Sequence, residues 1–252
     1  MKRFLIASNR LPVSVVKRRG RIHYESSAGG LATALSSVTG GSENLWIGWS
    51  GLTEKIKGKD KASIRDSFLA LRCVPVFLRQ TDVENFYYGF CNRTIWPLFH
   101  YFPLYAVFQK RFWEAYVRVN RIFCDEVLGV MRDDDMLWIH DYHLMLLPRL
   151  IREKRPRASI GFFLHIPFPS VEIFRLLPWR EQLLEGLLGS DLVGFHTFSY
   201  VEHFLTAVRR LLGFENSLGL IRTPDRVVSA DAFPIGIDYG KFHAAAEDEH
   251  VK

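Results

Sequence analysis

Cysteine is scarce, and the three that occur, Cys73, Cys91 and Cys124, lie far apart with no C-x-x-C pair among them. Such spacing excludes a disulfide framework and a cysteine zinc site, and predicts three reduced, packed thiols. Long apolar runs are missing too: nothing approaches the roughly 18 residues that cross a bilayer. The apolar part of the opening MKRFLIASNRLPV is too short for a secretory signal, so a cytoplasmic chain with no membrane partner is expected. There is no G-x-G-x-x-G dinucleotide fingerprint, no P-loop lysine and no G-x-S-x-G nucleophile elbow. Internal repeats are absent, and the basic runs lack the interleaved aromatics that would suggest a nucleic-acid partner.

What is present is a globular chain of 252 residues, 48% hydrophobic and 14% aromatic, with a net charge of +6. That composition excludes disorder and provides for one large α/β domain. The positive charge suits an anionic partner, although the basic runs at 17–21 and 149–157 also read as ordinary solvated surface.

The pattern along the chain alternates. A buried strand over 3–8 opens into Asn9, Arg10 and Pro12, and 13–16 with 22–24 form a hairpin. The glycine pair in SSAGGLATAL starts a helix. Strands follow at 45–50 and 69–78 with a polar loop over 53–66 between them, and Thr81 with Glu84 forms a capping box for a short helix through Tyr87. A long helix spans 109–131. Then come a strand at 136–139, a helix at 142–153 and a strand at 160–164. Ser170 caps a short helix, a strand lies at 192–195, a helix at 200–212 stops at Gly213, and late strands occupy 227–237. Strands alternating with helices predict a doubly wound, Rossmann-like, mostly parallel sheet.

In such a sheet ligands gather beyond the carboxyl ends of the strands. Asp141, after MLWIH, and His165, after SIGFFL, stand at two such ends. Asp141 is a candidate acceptor for a substrate hydroxyl; His165, held before Ile166-Pro167-Phe168-Pro169, is either catalytic or a satisfied core histidine. Arg10 leaves the first strand on the same rim, where its guanidinium suits a phosphate or simply faces solvent. Gly30 offers backbone N–H groups at a helix start, which fits a phosphate as well as a tight turn. Tyr87 and Trp96 fit a sugar-binding wall or the core. His140, Asp141 and His143 invite a metal reading, but a strand end lies between the histidines and no further ligand is spaced to complete a shell, so no metal is expected.

Read together, the strings SNRLPV, SAGGL, WIGWSG, YYGFCNRTIWPLFHY, AYVRVN, WIHDYHLMLLP, GFFLHIPFPSVEIFRLLPWR, DLVGFHTF and FPIGID resemble the trehalose-6-phosphate synthases, retaining glucosyltransferases of family 20. The resemblance implies two Rossmann-like domains facing across a cleft, the GT-B arrangement, and transfer of glucose from UDP-glucose to glucose 6-phosphate in trehalose biosynthesis. It implies that Arg10 holds the acceptor phosphate, that Tyr87 and Trp96 line the same pocket, and that Gly30 approaches the donor diphosphate. Asp141 would bind an acceptor hydroxyl and His165 the donor glucose. The family reaction is attributed to a front-face mechanism in which the leaving phosphate takes the acceptor's proton, with no metal or cofactor.

By the same resemblance, residues 1–240 are expected to form the N-terminal, acceptor-side domain and 241–252 a polar tail. The C-terminal nucleotide-binding domain, with its R-L-D-x-x-K-G phosphate clamp, is expected to be absent, which predicts little transfer by this chain alone. Phe168 and Trp179 are then expected on an exposed rim, free for self-association or for a separate second-domain chain. Two alternatives stand: a non-catalytic sugar-phosphate-binding regulatory module, and a related transferase with another phosphorylated acceptor.

Overall fold

The computed structural model describes residues 3–18, 21–26, 44–53, 58–236 and 239–240. Among them the first strand, β1 (Phe4–Arg10), is followed by the hairpin β2 (Val13–Arg18) and β3 (Arg21–Ser26). Then come β4 (Leu45–Trp49), α1 (Gly58–Ala70) and β5 (Cys73–Val76). A helical stretch that starts at Gln80–Asp82 continues π-helically over Val83–Ile95 and ends at Trp96–Phe99. After it lie α2 (Lys110–Val130), β6 (Met136–His140), α3 (Leu147–Lys154) and β7 (Ser159–Phe163). The chain continues through α4 (Arg180–Leu187), β8 (Leu192–Phe195), α5 (Phe198–Leu212), β9 (Asn216–Ser217), β10 (Leu220–Arg222) and β11 (Val227–Ala232).

The main sheet has the order β5-β4-β1-β6-β7-β8-β11-β10-β9. It is parallel from β5 through β11, with β10 and β9 added antiparallel at the edge. From β1 the chain winds outwards through β4 and β5, then returns to place β6 on the other flank of β1 and winds away through β7 and β8. The direction of winding therefore reverses between β1 and β6, and at the carboxyl ends of such a switch point an open α/β sheet leaves a crevice. Arg10 ends one of them and His140 the other.

Side chains alternate across β1. Leu5 and Ala7 enter the larger core, and Ile6 joins Trp46, Ile64 and Phe68 on the opposite face. Helices cover both faces, as a parallel sheet requires. Gly48 permits the close approach of β4 to the end of β1, because a Cβ there would lie 2.8 Å from the Arg10 carbonyl carbon and the Leu11 nitrogen. No helix of the described residues is long and apolar enough to cross a membrane. The three thiols are free and buried, and burial pushes Cys73 up to about 12 and Cys124 up to about 11.

Several boundaries differ from the expectation. The polar stretch expected as a loop holds α1, because Ile64 and Phe68, four apart, bury one stripe against the second face while the rest meets solvent. The following strand shrinks to Cys73–Val76. Thr81 caps nothing: Arg79 is the N-cap residue and its side chain makes no cap, while the Thr81 carbonyl accepts from Asn85 Nδ2 at 2.8 Å. The 142–153 helix is broken into a 3-10 turn, Tyr142–Leu144, and α3. The strand expected over 227–237 ends at Ala232. Phe168 is fully buried among Phe99, Phe174 and Phe204, and Trp179 stacks on Trp113 at 5.3 Å, so neither forms an exposed rim. The helix expected after Gly29 and Gly30 and the tail after residue 240 lie outside the described residues.

The entry of β1 is tied to β6 by Arg3, whose Nε and Nη2 donate to Asp135 Oδ1 and Oδ2 at 2.8 and 2.6 Å, with Nη2 also on the Val130 carbonyl. Burial alone would raise the Asp135 carboxyl, but Arg3 and the Arg132 N–H outweigh it and hold the group below the usual carboxylate range. The two side chains are 9% and 0% exposed, so removing Arg3 takes from the buried Asp135 carboxylate its guanidinium partner. Arg3→Ala is expected to cost about 3–5 kcal/mol in urea unfolding; a loss within the error of the measurement would show that the pair contributes nothing.

Candidate active site

The crevice is built from its backbone outwards. β6 ends at His140, and Asp141 then adopts φ 75° and ψ 166°, a conformation that side-chain-bearing residues rarely take and that costs on the order of 1–3 kcal/mol. Its N–H still completes the β6–β7 ladder on the Phe163 carbonyl at 2.7 Å, and the turn beyond it is closed by the Leu144 N–H on the Asp141 carbonyl at 3.1 Å. The reversal sends Tyr142 and His143 back over the carboxyl end of β1 instead of along the strand direction. The Asp141 carboxylate accepts the His165 N–H at 3.2 Å, which couples the ends of β6 and β7.

Arg10 sits across the opening. Its guanidinium carbon lies 5.0 Å from the ring centre of Trp49, its partner in the β1–β4 register, and 5.3 Å from that of Tyr87. Among the described residues its guanidinium has no hydrogen bond and no carboxylate partner, so two aromatic rings orient a cation that remains free for an anion. Tyr87 in turn stacks on His143, with ring centres 5.9 Å apart and planes 11° from parallel. Tyr142 donates from its hydroxyl to Asn92 Oδ1 at 3.3 Å and packs against Trp96 at 5.8 Å. Trp96 is 45% exposed and forms the outer lip. Tyr87, Asn92 and Trp96 come from the π-helical stretch and its end, where the Trp96 N–H reaches back five residues to the Cys91 carbonyl. Such widened helices are frequent at functional sites.

Beyond β7 and β8 lies a histidine row. His140 Nδ1 and His165 Nε2 are 3.0 Å apart, and the His165 and His196 ring centres 5.5 Å apart. Burial pushes His140 and His143 down to about 3, helped by His165 and by Arg10 respectively. Burial and His196 push His165 down to about 4. These imidazoles are neutral at pH 7. Burial pushes the Asp141 carboxyl up to about 7, against the opposing N–H groups of Tyr142 and His165. The 3.8 Å approach of His143 Nδ1 to Asp141 is therefore a contact of polar groups and not an ion pair, because the imidazole is uncharged wherever the carboxylate is charged. Among the described residues no group of three or more metal-type ligands converges.

The structure thus brings Arg10, Tyr87, Trp96 and Asp141 to one opening and sets His165 beside it, while Gly30 lies outside the described residues. Sequence reasoning passed over Trp49, Asn92, Tyr142 and His196. The signal for Trp49 was present, since it closes the strand neighbouring β1. Asn92 was hidden because a helix of ordinary pitch would not have aimed it with Tyr87.

A switch point of this kind in a mostly parallel sheet, with a guanidinium on one strand end and a carboxyl just past the next, places the fold in the Rossmann-like α/β class. The family model described as Glycosyltransferase family 20 matches residues 2–252, and the chain belongs to that family. It is 44% identical over 260 residues to the bifunctional trehalose-6-phosphate synthase/phosphatase of Thermoproteus tenax, covering 99% of this chain and 35% of that protein. Among solved structures it matches the E. coli protein bound with UDP-2-fluoro glucose at TM-score 0.81 and 31% identity, over 98% of this chain and 52% of that one. It also matches the UDP-forming alpha,alpha-trehalose-phosphate synthase of Burkholderia xenovorans in complex with glucose-6-phosphate, at TM-score 0.79 and 26% identity, over 98% and 52%. The chain thus spans between a third and about half the length of these relatives.

The raised Asp141 carboxyl fixes the sign of a stability effect. Unfolded, the group ionises above about pH 4; folded, it keeps its proton to about 7. The native state therefore binds the extra proton between these values, and stability falls as pH rises through that window and is level above it. The depressed histidines act oppositely, giving stability that is lost as pH falls below about 6.5, but they are shared by wild type and variant. Asp141→Asn should therefore raise Tm relative to wild type by an amount that grows from pH 4 to pH 7 and then stays constant. A difference independent of pH, measured by calorimetry, would mean that the carboxyl is not displaced.

Proposed function

We propose that this chain supplies the acceptor side of a retaining glucosyltransferase that moves glucose from UDP-glucose to glucose 6-phosphate, residues 1–240 forming the N-terminal domain of a GT-B pair. The observation that carries the reading is the Arg10 guanidinium, oriented by Trp49 and Tyr87 yet unpaired among the described residues, on the same opening as Asp141. Arg10 binds the phosphate of the acceptor; Tyr87 and Trp96 cover the sugar; Asp141 accepts a hydrogen bond from a sugar hydroxyl and orients the attacking oxygen. His165, neutral at pH 7, and Gly30 face the donor glucose and its diphosphate.

In the transfer the bond from the anomeric carbon to the phosphate oxygen breaks, the bond to the acceptor oxygen forms on the same face, and the departing phosphate takes the acceptor's proton. The chain's own residues contribute position and electrostatic preorganisation, and none need act as nucleophile. The name of the Burkholderia relative, a UDP-forming synthase, and the complexes of the two structural relatives with a UDP-glucose analogue and with glucose-6-phosphate support this choice of donor and acceptor. A cytoplasmic location and pairing with a second copy or a separate nucleotide-binding chain belong to the same proposal.

Calorimetric titration of the 252-residue chain with glucose 6-phosphate tests it. A charged hydrogen bond is worth about 1.5–3 kcal/mol, so Arg10→Ala should weaken binding by roughly 10- to 150-fold. Equal affinity of wild type and Arg10→Ala would sink the assignment of Arg10 to the phosphate, and no binding by wild type would sink the acceptor.

A further inference from the structure

Building on the acceptor-site reading above, we infer that Tyr116 and Asn120 are positioning residues, which clamp the backbone of the 141–145 turn and so hold Asp141 on the ligand, with Tyr142 and His143 set against Trp96 and Tyr87. The two lie four apart on the buried stripe of α2 and point the same way. The Tyr116 hydroxyl donates to the Tyr142 carbonyl at 2.8 Å and accepts the Met145 N–H at 2.9 Å. Asn120 Nδ2 donates to the His143 carbonyl at 3.1 Å and to the Tyr116 carbonyl at 3.0 Å. Three backbone groups of one short turn are thus satisfied by two side chains of a single helix.

The clamp is rigid on both sides. The Tyr116 ring is set by Phe86, Phe90 and Trp113, with centres 5.8, 4.3 and 5.8 Å away. Opposite, Gly186 of α4 closes on the turn so tightly that a Cβ there would lie 2.3 Å from the Met145 carbonyl oxygen. Neither Tyr116 nor Asn120 has any exposed surface, so they act through the turn and not on a ligand. A residue strained as Asp141 is persists only where its surroundings over-determine it, and these bonds follow it directly in the chain.

The test uses the 252-residue chain and the variants Tyr116→Phe and Asn120→Ala. Tyr116→Phe keeps the ring and removes the hydroxyl; Asn120→Ala keeps that hydroxyl and, of the turn's backbone groups, frees the His143 carbonyl. The first readout is the titration midpoint of the Asp141 carboxyl by carbon-13 NMR. Facing that carboxyl are His143, the His165 N–H, Tyr142, Cys91 and Tyr116, and with the turn in place burial pushes it up to about 7. Relaxation of the turn admits water, so each variant should lower the midpoint by a unit or more. The second readout is affinity: glucose 6-phosphate should bind at least tenfold more weakly, while inorganic phosphate, held by Arg10, binds as before.

A purely structural role would lower Tm and leave both readouts unmoved. An unchanged midpoint in both variants overturns the clamp, as does unchanged glucose 6-phosphate affinity in a chain that binds it. If Tyr116→Phe does not fold, Asn120→Ala decides by the same two measurements. If wild type does not bind glucose 6-phosphate, the acceptor reading falls and the Asp141 midpoints still decide the clamp.

Discussion

The site depends on one backbone event, the reversal at Asp141. A strand that ran on past His140 would carry its side chains beyond the sheet and away from β1. With φ at 75° the chain instead folds back just after the last rung of the β6–β7 ladder, and the Leu144 N–H closes the turn on the Asp141 carbonyl. That single turn puts a carboxyl, a phenol and an imidazole over the point where the sheet changes its winding direction. A local cost of on the order of 1–3 kcal/mol is offset by hydrogen bonds that only the reversed chain can make.

The electrostatics follow from the same enclosure. Burial keeps His140, His143 and His165 neutral, so among the described residues the crevice holds one free guanidinium and one carboxyl of near-neutral pKa. Arg10 contributes to this, since its charge helps to depress His143, the ring on which Tyr87 stacks. A phosphate that meets Arg10 finds no carboxylate already paired with it among the described residues. A sugar hydroxyl that reaches Asp141 meets a carboxyl group made a stronger hydrogen-bonding partner by a poorly solvated setting.

The sheet was largely legible, because β1, β4, β6, β7 and β8 are compact apolar runs between clear breakers, and their carboxyl-end residues point to the site by position alone. Legibility failed where period misled. Ile64 and Phe68 are only two apolar anchors in a polar stretch, too few to announce α1, yet a small second core needs no more. The π-helical stretch defeats any reading at 3.6 residues per turn, so Tyr87 and Trp96 were visible as candidates while Asn92, which the wider pitch aims at Tyr142, was not. The reversal at Asp141 left no residue signal at all, since position 141 carries neither glycine nor asparagine. Its cause lies in partners supplied by β7 and α2, far along the chain.

The string AYVRVN marks how such distant causes can be read. In α2 the buried positions recur as Phe112, Ala115, Tyr116, Val119, Asn120, Phe123, Cys124 and Val127, an amphipathic stripe in every respect except that Tyr116 and Asn120 carry a hydroxyl and an amide. A helix that needed only to pack would place leucine or phenylalanine there, because each buried hydroxyl or amide must find partners or cost about 1–3 kcal/mol. Polar residues four apart inside an apolar stripe therefore imply unsatisfied backbone on whatever the stripe packs against. Short turns are the main source of such backbone, since they have neither the helical nor the sheet ladder to satisfy it. The strained turn at the end of β6 and the polar interruptions in α2 are two halves of one solution: the turn exposes carbonyls and an N–H where water is excluded, and the helix supplies the groups that match them.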